Sequence, residues 1–449
     1  QRFAFFKKNR TNIRCRVYIM SKVQIEDLVR SLHTFREGSV IVLESQLPSH
    51  PSSIRSLVAA YPEREISACD SEILEQVQGK EFSYKMNPWS ALKNFYNNSD
   101  GWVLGVAGYD LKNFTESLSS ENPKIAEVPD MYFMEPELLI EIKNDKLRII
   151  KGEEIFDKLT VTEPVAESEN IHFSLSPSIS KEAYVANVNR IKEKITAGDF
   201  YELNYSYPME GSFEGKPFEL YCGMKKVNPV PFAAYISTGK FSVCCSSPER
   251  FLKKTGLNIL SEPIKGTSRR SDDPEIDLQY KQELLNEKNR AENLMIVDLV
   301  RHDMSAVSKV GSVSVTKLFD LQTFDTVHQL ISSVESIAEE NVHVVDIVKN
   351  CFPMGSMTGA PKIEVMKCIE QIECYRRGIY SGAIGYITPE GGFDFNVVIR
   401  SAIVHNEKLV YPVGGAITSD SDPDAEWEET LVKAKSITNV IKNGFDSAK

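Results

Sequence analysis

Runs of β-forming residues arrive in clusters along this chain and do not alternate regularly with helical stretches. Residues 138–142 and 147–150 flank Lys-Asn-Asp-Lys and read as a hairpin. Residues 232–236, 241–245 and 258–260 form a second group, and 383–388, 393–404 and 408–413 a third. Shorter runs at 40–43, 313–315 and 327–334 add further strands. A doubly wound sheet needs a helix-sized crossover between successive strands. Clustered strands lack it, so the pattern predicts an α+β fold built from antiparallel sheets with flanking helices.

The helices are marked by their ends. Tyr184, Val188, Ile191 and Ile195 put one apolar face on a helix that starts at Ser180 and stops at Gly198. Residues 88–98 read as a short helix, 274–304 as a long charged helix or helix pair, and 424–442 as a last helix. The acidic, proline-containing stretch 151–178 reads as a surface connection between an N-terminal region (20–165) and a core (175–445). Residues 1–19 carry six Lys or Arg and no acid, and are expected to be a leader or extension outside the fold.

Composition excludes several classes. The 449 residues are 42% apolar, with no apolar run long enough to span a bilayer, so no membrane partner is expected. A net charge of −11 argues against a nucleic-acid partner. Eight cysteines without C-x-x-C spacing and seven histidines without H-E-x-x-H predict a reduced, cytoplasmic protein with no zinc site.

Some residues invite chemistry. Lys265 lies in Pro-Ile-Lys-Gly-Thr, sixteen residues after Glu249 in Ser-Pro-Glu-Arg. A lysine becomes a nucleophile when held dry and beside another cation, and a nearby glutamate can protonate a leaving group. Alone, a lysine before Gly-Thr is equally a solvated turn residue. Glu426, Glu429 and Lys433 share one face of the last helix, either as a salt-bridged stripe or as a ligand set. Glu292 sits in an otherwise apolar helical run and needs a partner or a cleft. Glutamates from two helices without His or Cys suit an oxygen-seeking cation, Mg2+ before others. The Gly-rich loop 352–362 leads into a helix and could hold an anion at its free N–H groups, although its spacing is not that of a Walker A loop.

The tracts Ser247-Pro248-Glu249-Arg250, Pro263–Thr267, Ala291–Leu299, Gly359-Ala360-Pro361-Lys362 and Glu429-Thr430-x-x-Lys433 occur in one order. Together they resemble the chorismate-utilising enzymes: anthranilate, aminodeoxychorismate, isochorismate and salicylate synthases. The likeness is dense from about 175 to 445. Within the family, Pro-Ile-Lys-Gly-Thr resembles the aminodeoxychorismate branch, where anthranilate synthases usually carry alanine in place of the lysine.

That resemblance implies two large antiparallel sheets packed together, with the site in the cleft between them. It implies Lys265 and Glu249 as catalytic residues, Glu292 and Glu429 as direct Mg2+ ligands, and Glu426 reaching the metal through water. Thr358, Gly359, Tyr380, Arg400, Gly415, Ala416 and Lys433 fall on chorismate-binding positions. Arg400, expected at the end of a strand, and Tyr380 would hold the enolpyruvyl carboxylate. Gly415 and Ala416, read as a turn, would lie by the ring carboxylate. It further implies ammonia as co-substrate, delivered by a separate glutamine amidotransferase subunit, since the chain has no G-x-C-x-G nucleophile elbow. Anthranilate synthase component I, isochorismate or salicylate synthase, and a non-catalytic tryptophan- or partner-binding subunit remain alternatives. Besides Ala416, where a glycine is common, three positions depart from the family pattern: Asn289, where an acid is common; Gln329, where a histidine is common, with His328 beside it; and His302, where asparagine is usual. Leu43-Glu44-Ser45 resembles the tryptophan-contacting segment of the anthranilate branch.

Overall fold

The computed structural model describes residues 17–19, 24–47, 50–51, 55–144, 146–159, 170–324 and 327–445. Most of the basic stretch 1–19 lies outside them, as does 160–169 of the acidic connection. Two antiparallel sheets dominate. The first runs Lys146–Lys151, Met131–Lys143, Ser56–Cys69, Val40–Glu44, Phe232–Ser237, Ser242–Ser247, Ser401–His405, Lys408–Ile417 and Glu202–Glu214. The second joins the other halves of Ser56–Cys69 and Met131–Lys143 to Val103–Ala107, Ala383–Ile387, Phe393–Asn396, Arg250–Thr255, Asn258–Glu262, Val327–Ile337 and Ser314–Thr323. Val40–Glu44 and Val103–Ala107 thus sit beside strands from the later part of the chain in both sheets.

The sheets are continuous because several strands pass from one to the other. Ser56–Cys69 and Met131–Lys143 bend together where their register shifts near Pro62, next to Tyr61 at φ 58°. Ser242–Ser247 continues as Arg250–Thr255 through Pro248 and Glu249. Phe393–Asn396 continues as Ser401–His405 through residues 397–400. The sequence pattern predicted one unbroken strand there. The chain instead turns at Arg400, which adopts φ 50° and is not a strand end. The two crossovers bond to each other: the Val397 N–H donates to the Glu249 carbonyl at 3.0 Å, and the Ser246 N–H to the Arg400 carbonyl at 3.2 Å.

Gly414, Gly415 and Ala416 are also not a turn. They lie inside Lys408–Ile417, paired with Ser206, Tyr205 and Asn204. A Cβ on Gly414 would stand 2.5 Å from the Tyr205 carbonyl oxygen, so glycine here answers to close backbone approach.

The predicted helices form. Lys181–Ala197 is capped by Ser180, whose hydroxyl accepts from the Ala183 N–H, and ends at Gly198 in the left-handed region. The charged stretch is a pair, Pro274–Leu284 and Glu287–Ser305. The last helix, Pro423–Phe445, seats Trp427 against Tyr207 with ring centroids 5.3 Å apart, and Thr430 bonds the Tyr207 hydroxyl at 2.7 Å. Such a stacked pair contributes about 1 kcal/mol beyond its buried area. With Trp427, Thr430, Ala434 and Ile437 buried, Glu426, Glu429 and Lys433 are left along one edge of that face. Among the described residues no helix is long and apolar enough to cross a membrane.

Candidate active site

A cleft of about 730 Å³ opens where the two crossovers meet the last helix. Ten of the twelve residues given catalytic, metal or substrate-binding roles line it: Glu249, Lys265, Glu292, Tyr380, Arg400, Gly415, Ala416, Glu426, Glu429 and Lys433. Thr358 and Gly359 do not. The Thr358 hydroxyl turns back onto the Met354 and Gly355 carbonyls of its own loop, each at 3.2 Å. Gly359 is pressed so close to the next strand that a Cβ would fall 2.0 Å from the Glu202 carbonyl oxygen. The loop's cleft-facing residues are Ser356 and Met357.

Lys265 owes its direction to a bulge. Between Ile264↔Ile331 and Thr267↔Gln329 the lysine strand carries one extra residue, and Gly266 takes φ 88°. Bulges of this kind re-aim side chains beside active sites. The amine is almost dry and bonds Glu202 Oε1 at 2.7 Å. Burial pulls its pKa down, but Glu202, Glu292 and Glu249 outweigh that and hold it above the ordinary lysine value. The expectation of a lysine beside another cation is therefore corrected: its neighbours are carboxylates. Glu202 was missed by sequence, although Glu202, Asn204 and Ser206 form a polar stripe alternating with Leu203 and Tyr205, a period-two signal facing one side.

Glu249 is buried on its crossover and accepts a hydrogen bond from the Ser356 hydroxyl at 2.8 Å. Burial pushes its carboxyl up to about 7, against smaller opposing pulls from Ser356, Lys265 and Arg400. It is thus poised between acid and base at neutral pH. Arg400 is held below its ordinary pKa by burial. The Tyr380 N–H donates to the carbonyl of Arg377 at 3.1 Å. The wholly buried Arg377 forks onto Glu373 and bonds the carbonyls of Met357 and Asn204, each at 2.7 Å. One guanidinium therefore ties three walls of the cleft together.

The acidic end of the cleft lies between two helices. Lys288 stands 3.9 Å from Glu292 and 3.7 Å from Glu426, and Lys433 bonds Glu429 at 2.8 Å. Burial raises the Glu292 and Glu426 carboxyls, whereas Lys433 holds Glu429 low. A Cβ on Gly415 would come within 3.5 Å of Glu426 Oε2 and Lys433 Nζ and 4.0 Å of Glu429 Oε1, so the glycine keeps a cradle open. Among the described residues no three His, Cys, Asp or Glu side chains converge tightly enough to enclose an ion alone. The donor set, oxygen only and open to the cleft, fits a cation that fills its shell with water and a ligand's carboxylate.

The three departures resolve differently. Asn289 lines the cleft, but its amide caps the preceding turn through the Glu283 and Leu284 carbonyls. His328 is buried and bonds Asp277 at 2.8 Å and Thr323 at 3.0 Å, away from the cleft; Gln329 is buried on its strand. His302 is exposed and outside the cleft. A second cavity of about 400 Å³ lies against Leu43, Glu44 and Ser45, with Arg55, Phe232 and Tyr386 on its walls.

Residues 39–439 match the chorismate binding enzyme family. The chain is 30% identical over 425 residues to aminodeoxychorismate synthase component 1 of Escherichia coli, covering 90% of this chain and 93% of that protein. It is 40% identical over 285 residues to the chloroplastic aminodeoxychorismate synthase of Arabidopsis thaliana, covering 62% of this chain but 31% of the plant protein. The chain spans 31% of the length of that relative and 37% of that of the aminodeoxychorismate synthase of Streptomyces griseus. Its fold matches anthranilate synthase component I from Streptococcus pneumoniae with a TM-score of 0.77 at 26% identity, over 87% of this chain and 93% of that one. By the match over residues 39–439 and the likeness to the E. coli protein over most of both chains, the chain belongs to the chorismate binding enzyme family.

Proposed function

We propose that the chain aminates chorismate at C4, forming 4-amino-4-deoxychorismate, with Lys265 as a covalent nucleophile. The observation that carries this is the pairing, in one cleft, of a buried lysine amine with a glutamate whose carboxyl is pushed up to about 7. Arg400 and Tyr380 bind the enolpyruvyl carboxylate; the backbone at Gly415 and Ala416, with Lys433, faces the ring carboxylate. Glu292 and Glu429 would hold Mg2+, with Glu426 behind a water; the ion supplies charge neutralisation at that carboxylate.

The Lys265 nitrogen bonds C2, the ring's conjugated double bonds shift toward C4, and the C4–O bond breaks. Glu249 supplies the proton that turns the departing hydroxide into water. Ammonia then adds at C4, the double bonds shift back, and the C2–N bond breaks to free the amine. The lysine occupies C2, which directs nitrogen to C4 and away from the anthranilate outcome. The protonated Glu249 can do its part only below its pKa, so turnover falls as pH rises past about 7.

Nitrogen comes from a glutamine amidotransferase subunit, a reading supported by the component 1 name of the E. coli relative. Chromatography of products from chorismate, Mg2+ and ammonium tests the whole reading. A C4-aminated product supports it. Product aminated at C2, or isochorismate formed without nitrogen, refutes it.

A further inference from the structure

Glu202 has no part in the roles above, yet among the described residues it is the carboxylate that touches the Lys265 amine, at 2.7 Å. It is fully buried, and its other oxygen, Oε2, has no hydrogen-bond partner. Its backbone is pinned by the Gly-rich loop: Glu202 pairs with Ala360, and its carbonyl lies against Gly359. Two residues on, and so on the same face of the strand, Asn204 lines the cleft with its Nδ2 likewise unpartnered. A fold that buries a carboxylate oxygen without a donor leaves open a place where a proton can land.

We propose that Glu202 is the base that takes a proton from Lys265 as its nitrogen adds to the ring, and returns it when the amine is expelled. The inference rests on the reading of Lys265 as nucleophile. An ammonium has no lone pair, so one proton must leave before the C2–N bond forms. Glu249, Glu292 and Glu429 also act on this amine electrostatically, but from beyond hydrogen-bond contact. Glu249 must arrive protonated to serve the departing hydroxyl, so it cannot also take the lysine's proton. The transfer balances: Lys265 ammonium and Glu202 carboxylate become amine and carboxylic acid. After ammonia expels the amine, the acid hands the proton back and both groups are reset.

The test is rapid-quench mass spectrometry of the Lys265 peptide, using the full chain with chorismate and Mg2+ and no ammonium. Wild type should form the adduct quickly. Glu202→Gln keeps size and hydrogen bonding and should form it about 100-fold more slowly, with chorismate affinity unchanged. Below pH of about 7, where Glu249 still carries its proton, its adduct rate should climb with pH as hydroxide replaces the missing base, a trend that loss of packing would not produce. Glu202→Asp keeps the acid and should be slowed less; it carries the test if the glutamine variant does not fold. An adduct rate in Glu202→Gln equal to or above wild type overturns the proposal, because that is the outcome if Glu202 only holds the ammonium. Absence of any adduct in wild type removes the Lys265 reading and this inference together, whereas a wild-type adduct with an unimpaired variant removes this inference alone.

Discussion

Glu249→Gln should stabilise the fold while destroying its chemistry. In the native protein this carboxyl titrates near 7, against the ordinary value of 4.5. A carboxyl whose folded pKa is raised binds its proton more tightly when folded. Stability is therefore lost as pH climbs from about 4.5 through 7, the reverse of an ordinary salt-bridged acid. The shift of about 2.5 units corresponds to ~3 kcal/mol of cost at pH 8, an upper value because the Lys265 and Ser356 contacts are altered too. Glutamine fills the same space, stays uncharged, and can keep the bond from the Ser356 hydroxyl. Urea denaturation at pH 5 and pH 8 checks this directly. The variant should gain about 1–3 kcal/mol over wild type at pH 8 and little at pH 5, while turnover falls by about 100-fold or more. A variant no more stable than wild type at pH 8, or with an equal gain at both pH values, refutes the assignment of a buried, largely desolvated acid.

Three further outcomes are expected. Lys265→Ala should lose C4 amination by a large factor while still binding chorismate, and residual nitrogen incorporation should shift toward C2; unaltered C4 product would eliminate the covalent route. Glu292→Gln and Glu429→Gln should each fold normally yet lose Mg2+-dependent turnover, measured by titrating Mg2+ against rate; an unchanged Mg2+ dependence would remove these residues as ligands. Arg377→Met should cost ~3–5 kcal/mol by leaving the Glu373 carboxylate buried and unpaired, and adding Glu373→Gln should recover much of that; a thermal melt showing no loss in the single variant would refute the tethering role given to the guanidinium.

Much of this was legible in the sequence because it was written in local terms. Ser180 and Gly198 set the ends of their helix through a cap and a left-handed stop, both visible in residue type. The helical spacing of Glu426, Glu429 and Lys433 placed them together, and the family tracts marked Glu249 and Lys265. The misreadings arose where tertiary geometry decides. Apolar, β-forming residues continue on both sides of Arg400, so nothing in the pattern tells that the chain leaves one sheet for the other there. Gly414 and Gly415 looked like turn residues, but their lack of side chains serves close strand approach and an open cradle. The company Lys265 keeps was hidden for a related reason: Glu202 lies 63 positions away and meets it only through the bulge at Gly266.

The passage of strands between the sheets sets a limit on how this chain can vary in length. Side chains alternate along a strand, so inserting or deleting one residue between Ser247 and Arg250 would exchange inside for outside along everything that follows up to Thr255. The same holds for residues 397–400 and the strand beyond them. Because these segments bond to each other, an indel in one would also pull the second out of line. Natural variation in loop length should therefore avoid both places and collect in connections such as 339–343, where the chain runs from the strand Val327–Ile337 to the helix Val344–Cys351 without carrying a register.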